Sequence, residues 1–346
     1  MSLFNGIFFH SVGAAGASLC YTPEKKVKNW SWQTYWLAQA AICWLVLPIL
    51  VAWITIPNLQ AVLAEAPMSA ARSSFIYGML YGIGGTAFGM SIRYVGYSLT
   101  YAIAVGISCV VGTLLPPFMN GTLLTTLQGN GANYIISGIT MGALGIVVCG
   151  IAGRKKEKLI ESVGGGSNSN FSFAKGLPLC ILAGILSAFY GFALSEGAPI
   201  AAVAEKYGAG EFKSNVVYIF SNTGAFVTTL FYCLYLHIKE GTLSQYTAAP
   251  KSLATNYLMS IITGVLWYFQ FFFYGLGHVN LGKYEFSSWA IHMILLVLFS
   301  VLTGIVLKEW KMCTRRILQI LALAISILIA AVLLLTFGNY LGISNV

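Results

Sequence analysis

The chain has 346 residues, 58% of them apolar and only 8% charged, against roughly 25% charged in a soluble domain, so it cannot solvate the surface of a water-soluble fold. Runs of about 20 predominantly apolar residues recur along its length, each long enough to cross a hydrocarbon core about 30 Å thick, and no alternating segments of about 10 residues mark a membrane barrel. The excess of 19 Lys and Arg over 10 Asp and Glu is then an orientation signal, not a nucleic-acid footprint.

Apolar windows place ten membrane-spanning helices at 3–22, 33–57, 70–91, 96–117, 131–153, 174–197, 213–237, 252–277, 286–307 and 315–340. The first is not a signal peptide, because its positive cluster (Lys25, Lys26, Lys28) follows the apolar stretch instead of preceding it. Gly6, His10, Gly13, Ala17 and Tyr21 share one stripe of that span, and Tyr77, Tyr81, Gly84 and Phe88 share one of the third. GTAFG (85–89) and GITMG (138–142) carry the small-xxx-small spacing of closely packed membrane helices. GIGGTA in the third span imitates a dinucleotide fingerprint but lacks the strand and βαβ unit that would make it one.

After the fifth span comes the longest hydrophilic stretch, RKKEKLIESVGGGSNSN (154–170). Its glycines lack the GK[ST] ending of a phosphate loop, so it reads as a connector. It divides the chain into five helices (1–153), a cytoplasmic linker (154–173) and five more helices (174–346). An odd number of spans per half inserts the second half with opposite polarity, the arrangement of inverted-repeat transporters. With both termini outside, fifteen of the 19 Lys and Arg fall on the cytoplasmic side and four outside, as the positive-inside rule requires. The expected fold is therefore an all-α membrane protein of ten transmembrane helices in two inverted five-helix repeats.

The eighth span holds WYFQFFFYGLGH (267–278). On a helix Trp267, Gln270, Phe271, Tyr274 and His278 fall within about 100° of arc, while Phe269, Phe272 and Leu276 take the other side. Polar groups facing lipid would go unsatisfied, so this face looks at other helices or at water. In the ninth span Glu285, Trp289, His292, Ser300 and Thr303 form a similar stripe. Together with the stripes of the first and third spans, four helices offer Trp, Tyr, His, Gln and small residues to a common interior. A sugar matches that mixture: its C–H faces stack on aromatic rings and its hydroxyls pair with amide, imidazole and phenol groups. Gln270 fits two roles, sugar ligand or interhelical glue.

His10, His278 and His292 fall toward the outer side, and Glu196 and Glu285 lie at a similar level. Ionisable groups in a span are functional candidates by default, so these five are the candidate proton carriers. His237, at the cytoplasmic end of the seventh span, reads as solvated. The seven cysteines are scattered singly, without CxxC or Cys/His spacing suited to zinc, so no metal site is expected of them.

KKVKNWSW (25–32), RYVGYS (93–98), VGTLLPPFMNG (111–121), WYFQFFFYGLGH, SSWAIHM (287–293) and GIVLKEW (304–310) carry a resemblance over nearly the whole chain. It resembles the L-rhamnose–proton symporters, a ten-helix branch of the drug/metabolite transporter superfamily. The resemblance implies import of L-rhamnose, a 6-deoxyhexose, across a bacterial inner membrane with protons as coupling ion and no bound cofactor. It places substrate-binding positions at Trp267, Gln270, Tyr274, His278 and His292, to which the stripes add Phe271, Trp289, Tyr81 and His10. The alternatives are a related transporter or exchanger for another sugar or small metabolite, an intramembrane enzyme, and a helical scaffold or receptor. An enzyme would need paired acids or a metal cluster, which the stripes do not supply.

Overall fold

The computed structural model describes residues 3–95, 100–119, 121–128, 130–162, 172–248, 250–281, 285–308 and 310–343, with the side chains of Glu285 and Phe286 among those left undescribed. Among the described residues the chain is all helix, without a strand. In order the helices are α1 (Leu3–Leu19), α2 (Trp32–Ala41), α3 (Leu47–Thr55), α4 (Leu59–Glu65), α5 (Met68–Val95), α6 (Gly106–Met119) and α7 (Leu123–Gln128). Then follow α8 (Ala132–Ser162), α9 (Phe173–Glu196), α10 (Ala198–Lys206), α11 (Asn215–Glu240), α12 (Pro250–Leu281), α13 (Glu285–Val306) and α14 (Arg315–Ile343). Nine helical segments among the described residues are long and apolar enough to cross a membrane, and a shorter apolar helix over Tyr101–Pro116 falls where the fourth span is expected. The chain is a multi-pass membrane protein.

One departure from regular helix and one helix that outruns its expected end have sequence causes. Pro48 has no N–H for the Trp44 carbonyl, and the chain over Ile42–Val46 widens into a π turn that joins α2 to α3. A wider turn advances each residue by less than 100°, which rotates Trp44 back toward the stripe of Trp36. At the fifth span, α8 runs on to Ser162, so the linker expected from 154 begins later. Arg154, Lys155, Lys156 and Lys158 are good helix formers once outside the hydrocarbon, and nothing in RKKEKLIES stops the helix. The glycine-rich part (163–171), the start of the fourth span (96–99), Lys283 and Glu309 lie outside the described residues.

The fold gathers into two compact units, one of Met1–Ala15, Gly84–Ala188 and Gly277–Val346, the other of Gly16–Ile83 and Phe189–Leu276. In the first, α14 lays Ile317, Leu321, Ala324, Leu328, Ala331 and Leu335, all buried, along a seam of alternating four- and three-residue steps. Glycines of α8 let it approach. A Cβ on Gly138 would stand 2.7 Å from Leu335, one on Gly145 2.8 Å from Leu328, and one on Gly142 2.2 Å from Ile294 of α13. The GITMG motif is thus a packing motif, as expected. Lys156 turns inward and places its ammonium 4.6 Å from the centre of the Trp310 ring.

In the second unit, α5 and α11 meet backbone to backbone. A Cβ on Gly78 would fall 1.9 Å from the Ser221 carbonyl oxygen, one on Gly82 2.5 Å from that of Ala225, and one on Gly224 2.1 Å from that of Phe75. One end of the unit closes with an apolar cluster around Ile56, Val62, Ile200, Val203 and Val216. A hydrogen bond from Tyr207 to the Glu65 carboxylate, which raises the pKa of that exposed phenol, lies there too, as does a 3.3 Å ion pair between Lys213 and Glu205. The other end is a polar knot. Gln33 donates to Glu240 at 2.8 Å and to Thr242 at 3.0 Å. Gln245 accepts from the Ser31 amide and the Thr34 hydroxyl, each at 2.7 Å, and Asn256 holds both backbone groups of Lys28. His237 belongs to this knot instead of being solvated as its position suggested: it is buried, with Nδ1 2.8 Å from the Thr242 hydroxyl and Nε2 3.2 Å from that of Tyr246. Burial pushes the Tyr246 phenol above the ordinary tyrosine range, so it stays neutral.

Candidate functional site

The residues singled out in the sequence fall into two sets. Trp267, Gln270, Phe271, Tyr274 and Tyr81 belong to the second unit, and His10, His278, Trp289 and His292 to the first.

In the second unit, Trp267 and Phe271, one helical turn apart on α12, are each a hub of rings. Around Trp267 stand Trp44 at 5.2 Å and Trp36 at 5.5 Å, both edge-on, and Tyr21 at 5.6 Å. Tyr190 stands 4.9 Å from Phe271 and Tyr81 6.0 Å, with Tyr218 and Tyr268 a little further out. Tyr81 bridges the hubs, 4.6 Å from Tyr190 and 6.0 Å from Trp44. Tyr274 is buried one turn beyond Phe271, and Gln270 is half-buried.

Polar atoms are threaded through these rings. The Tyr190 hydroxyl donates to Asn222 Oδ1 at 2.6 Å, and Tyr35 shares a 2.6 Å hydrogen bond with Thr263. Other buried polar atoms have no hydrogen-bond partner among the described residues: both amide atoms of Gln39, the indole nitrogens of Trp36 and Trp44, the Tyr268 hydroxyl and Asn222 Nδ2. Each such group costs about 1–3 kcal/mol where it meets neither protein nor water, and native folds hold few of them. They gather in the aromatic interior around Trp267 and Phe271. Trp36, Trp44, Tyr190, Asn222 and Gln39 were not among the residues singled out from sequence. The one available signal was a glutamine inside an apolar window, LAQAAICW.

In the first unit, His10 of α1 and His292 of α13 are fully buried, with their Nδ1 atoms 3.4 Å apart and rings edge-on at 5.5 Å. Ser288, one turn before His292, puts its hydroxyl 2.9 Å from His10 Nε2. The resulting chain, Ser288–His10–His292, has two consistent hydrogen patterns. In one, the serine donates to His10, which donates to His292; in the other, every bond runs backwards. Gly277 makes room for the His10 ring, since a Cβ there would come within 2.8 Å of it. His278 lies within electrostatic reach of His10. Trp289 is clamped, its indole N–H donating to the Ser108 carbonyl at 2.8 Å, and Gly112 leaves space for the ring. Glu196, the last residue of α9, is exposed, and the Glu285 side chain lies outside the described residues. No group of three or more His, Cys, Asp or Glu suited to a metal ion occurs among the described residues.

A family model described as L-rhamnose-proton symport protein (RhaT) matches residues 1–340. The chain is also similar to proteins named L-rhamnose-proton symporter. It is 33% identical over 338 residues to the one from Enterobacter sp. (strain 638), covering 96% of this chain and 97% of the relative. Over the same length and coverage it is 32% identical to that of Escherichia coli O1:K1 / APEC and 33% identical to that of Citrobacter koseri.

Proposed function

The chain belongs to the L-rhamnose-proton symport protein family, and from that premise we propose that it carries L-rhamnose inward across a bacterial inner membrane together with protons, by alternating access. It is a transporter, not an enzyme. We place the sugar against the rings of Trp267, Phe271 and Tyr81, with Gln270 and Tyr274 on the same helix face, and the proton on the imidazoles of His10 and His292. His278, Trp289, Glu196 and Glu285 are the further candidates on this reading. Ten helices in two inverted repeats, with both termini outside, complete it.

One observation carries the proton assignment. The chain has no aspartate, no glutamate is buried among the described residues, and the imidazoles of His10 and His292 are fully buried within α1 and α13. A transporter that couples to protons needs a titratable group that the membrane field and the substrate can both influence.

The test is uptake of radiolabelled L-rhamnose into proteoliposomes with and without an inward proton gradient, in the wild type and Gln270→Ala. Accumulation that the gradient drives and the variant loses supports both the symport and the α12 face. Wild-type protein that neither accumulates nor exchanges rhamnose overturns the substrate. Rhamnose exchange that ignores the gradient overturns proton coupling and makes the chain an exchanger.

A further inference from the structure

Resting on the reading that the second unit holds the sugar, we propose that the buried amide of Gln39, flanked along its helix by the indole N–H groups of Trp36 and Trp44, hydrogen-bonds adjacent hydroxyls of that sugar.

Gln39 is 1% exposed, and neither its amide nitrogen nor its amide oxygen has a hydrogen-bond partner among the described residues. It lies on the α2 stripe of Trp32, Trp36 and Cys43, spaced by four, three and four residues, whereas Leu37, Ala38 and Ala41 occupy the less buried side. The stripe faces α12. Tyr35 bonds Thr263, the Gln39 carbonyl would stand 2.9 Å from a Cβ on Gly264, and Trp36 and Trp44 both set their rings against Trp267. The Trp36 and Trp44 indole nitrogens are likewise buried, with no hydrogen-bond partner among the described residues.

A glutamine that joins two helices must hold a partner on the second. Gln39 holds none among the described residues, so glue does not account for it. What its surroundings lack is charge: among the described residues no Asp, Glu, Lys or Arg of the second unit is buried. An ionic ligand would have no counter-charge there, whereas a neutral polyol needs none. The donor set matches a vicinal diol. A primary amide presents an acceptor and two donors in one plane, each sugar hydroxyl both gives and takes a hydrogen, and the two indole N–H groups are donors only. The rings around them supply faces for the sugar's C–H bonds.

The experiment uses the full chain purified in detergent. Binding of L-rhamnose, other 6-deoxyhexoses, aldohexoses and pentoses is titrated by calorimetry for the wild type, Gln39→Leu and Gln39→Met, and thermal midpoints are measured without sugar. Loss of a two-point hydrogen bond predicts a Kd about ten- to hundredfold weaker in both variants. The sugar-free midpoint should stay level or rise, since an unmet buried amide has been replaced by an apolar group. Unchanged Kd in either folded variant overturns the assignment, as does a midpoint that falls in both or failure of both to fold, because each makes Gln39 structural. If the wild type binds another sugar of the set and the variants lose it, Gln39 stands and L-rhamnose falls. If the wild type binds none of these sugars, both readings fall.

Discussion

His10 has its two ring nitrogens engaged at once, one toward Ser288 at 2.9 Å and the other toward His292 at 3.4 Å, and this is why a single proton can matter there. Two neutral imidazoles share one N–H between their facing nitrogens. A third proton makes an imidazolium that its neighbour can still accept from, while a fourth would set two charges face to face in a water-poor interior. On the proposed reading this pair takes the single coupled proton, since a second would meet the charge of the first. His10→Gln and His292→Gln each keep a polar side chain but remove the titration. Both variants should lose gradient-driven accumulation, by about tenfold or more, while retaining rhamnose exchange across membranes with no gradient. Retained accumulation in both would move the proton elsewhere, with His278 and the glutamates at the helix ends the remaining candidates.

Helices this apolar gain little from the hydrophobic effect by leaving lipid for one another, so close approach decides which of them pair. The contact of α5 with α11 rests on Gly78, Gly82 and Gly224, where a Cβ would overlap the opposite backbone. Gly78→Ala puts a methyl group 1.9 Å from a carbonyl oxygen, which neither helix can yield by rotating a side chain. We expect it to destabilise the protein by about 2–4 kcal/mol, read as a lowered thermal midpoint in detergent. Ile83→Ala, on an exposed position of the same helix, should change little. Contacts of this kind show what was legible beforehand. The spans and the GITMG packing motif follow from hydropathy and small-residue spacing, which are local. The rings around Trp267 and Phe271 were half visible: the α12 face stood out because polar residues interrupt an apolar run, whereas Trp36 and Trp44 looked like ordinary membrane tryptophans. Their role depends on a π turn that rotates Trp44 and on a partner helix more than 200 residues away. The His10–His292 contact joins positions 282 residues apart, and no periodicity in either helix records it.

At the scale of the molecule the open quantity is the parity of the membrane crossings. Nine helical segments among the described residues are long enough to cross by themselves, and the segment from Tyr101 through α6 decides whether the termini share a side. That segment rises about 28 Å at 1.5 Å per residue, close to a hydrocarbon core of about 30 Å. Its buried face, with Tyr101, Ala104, Val105, Cys109 and Thr113, is that of a helix packed inside a bundle. If it crosses, fifteen of the 19 Lys and Arg gather on one side. If it does not, every loop after it changes sides and the basic α8 extension with Arg154, Lys155, Lys156 and Lys158 leaves the side of Lys25, Lys26 and Lys28, against the charge bias that sets topology. Both termini should therefore lie outside. A carboxy-terminal alkaline phosphatase fusion is expected to be active and a carboxy-terminal green fluorescent protein fusion dark. The opposite pair of results, with an amino-terminal tag still accessible from outside, would mean an odd number of crossings and would remove the inverted repeat along with them.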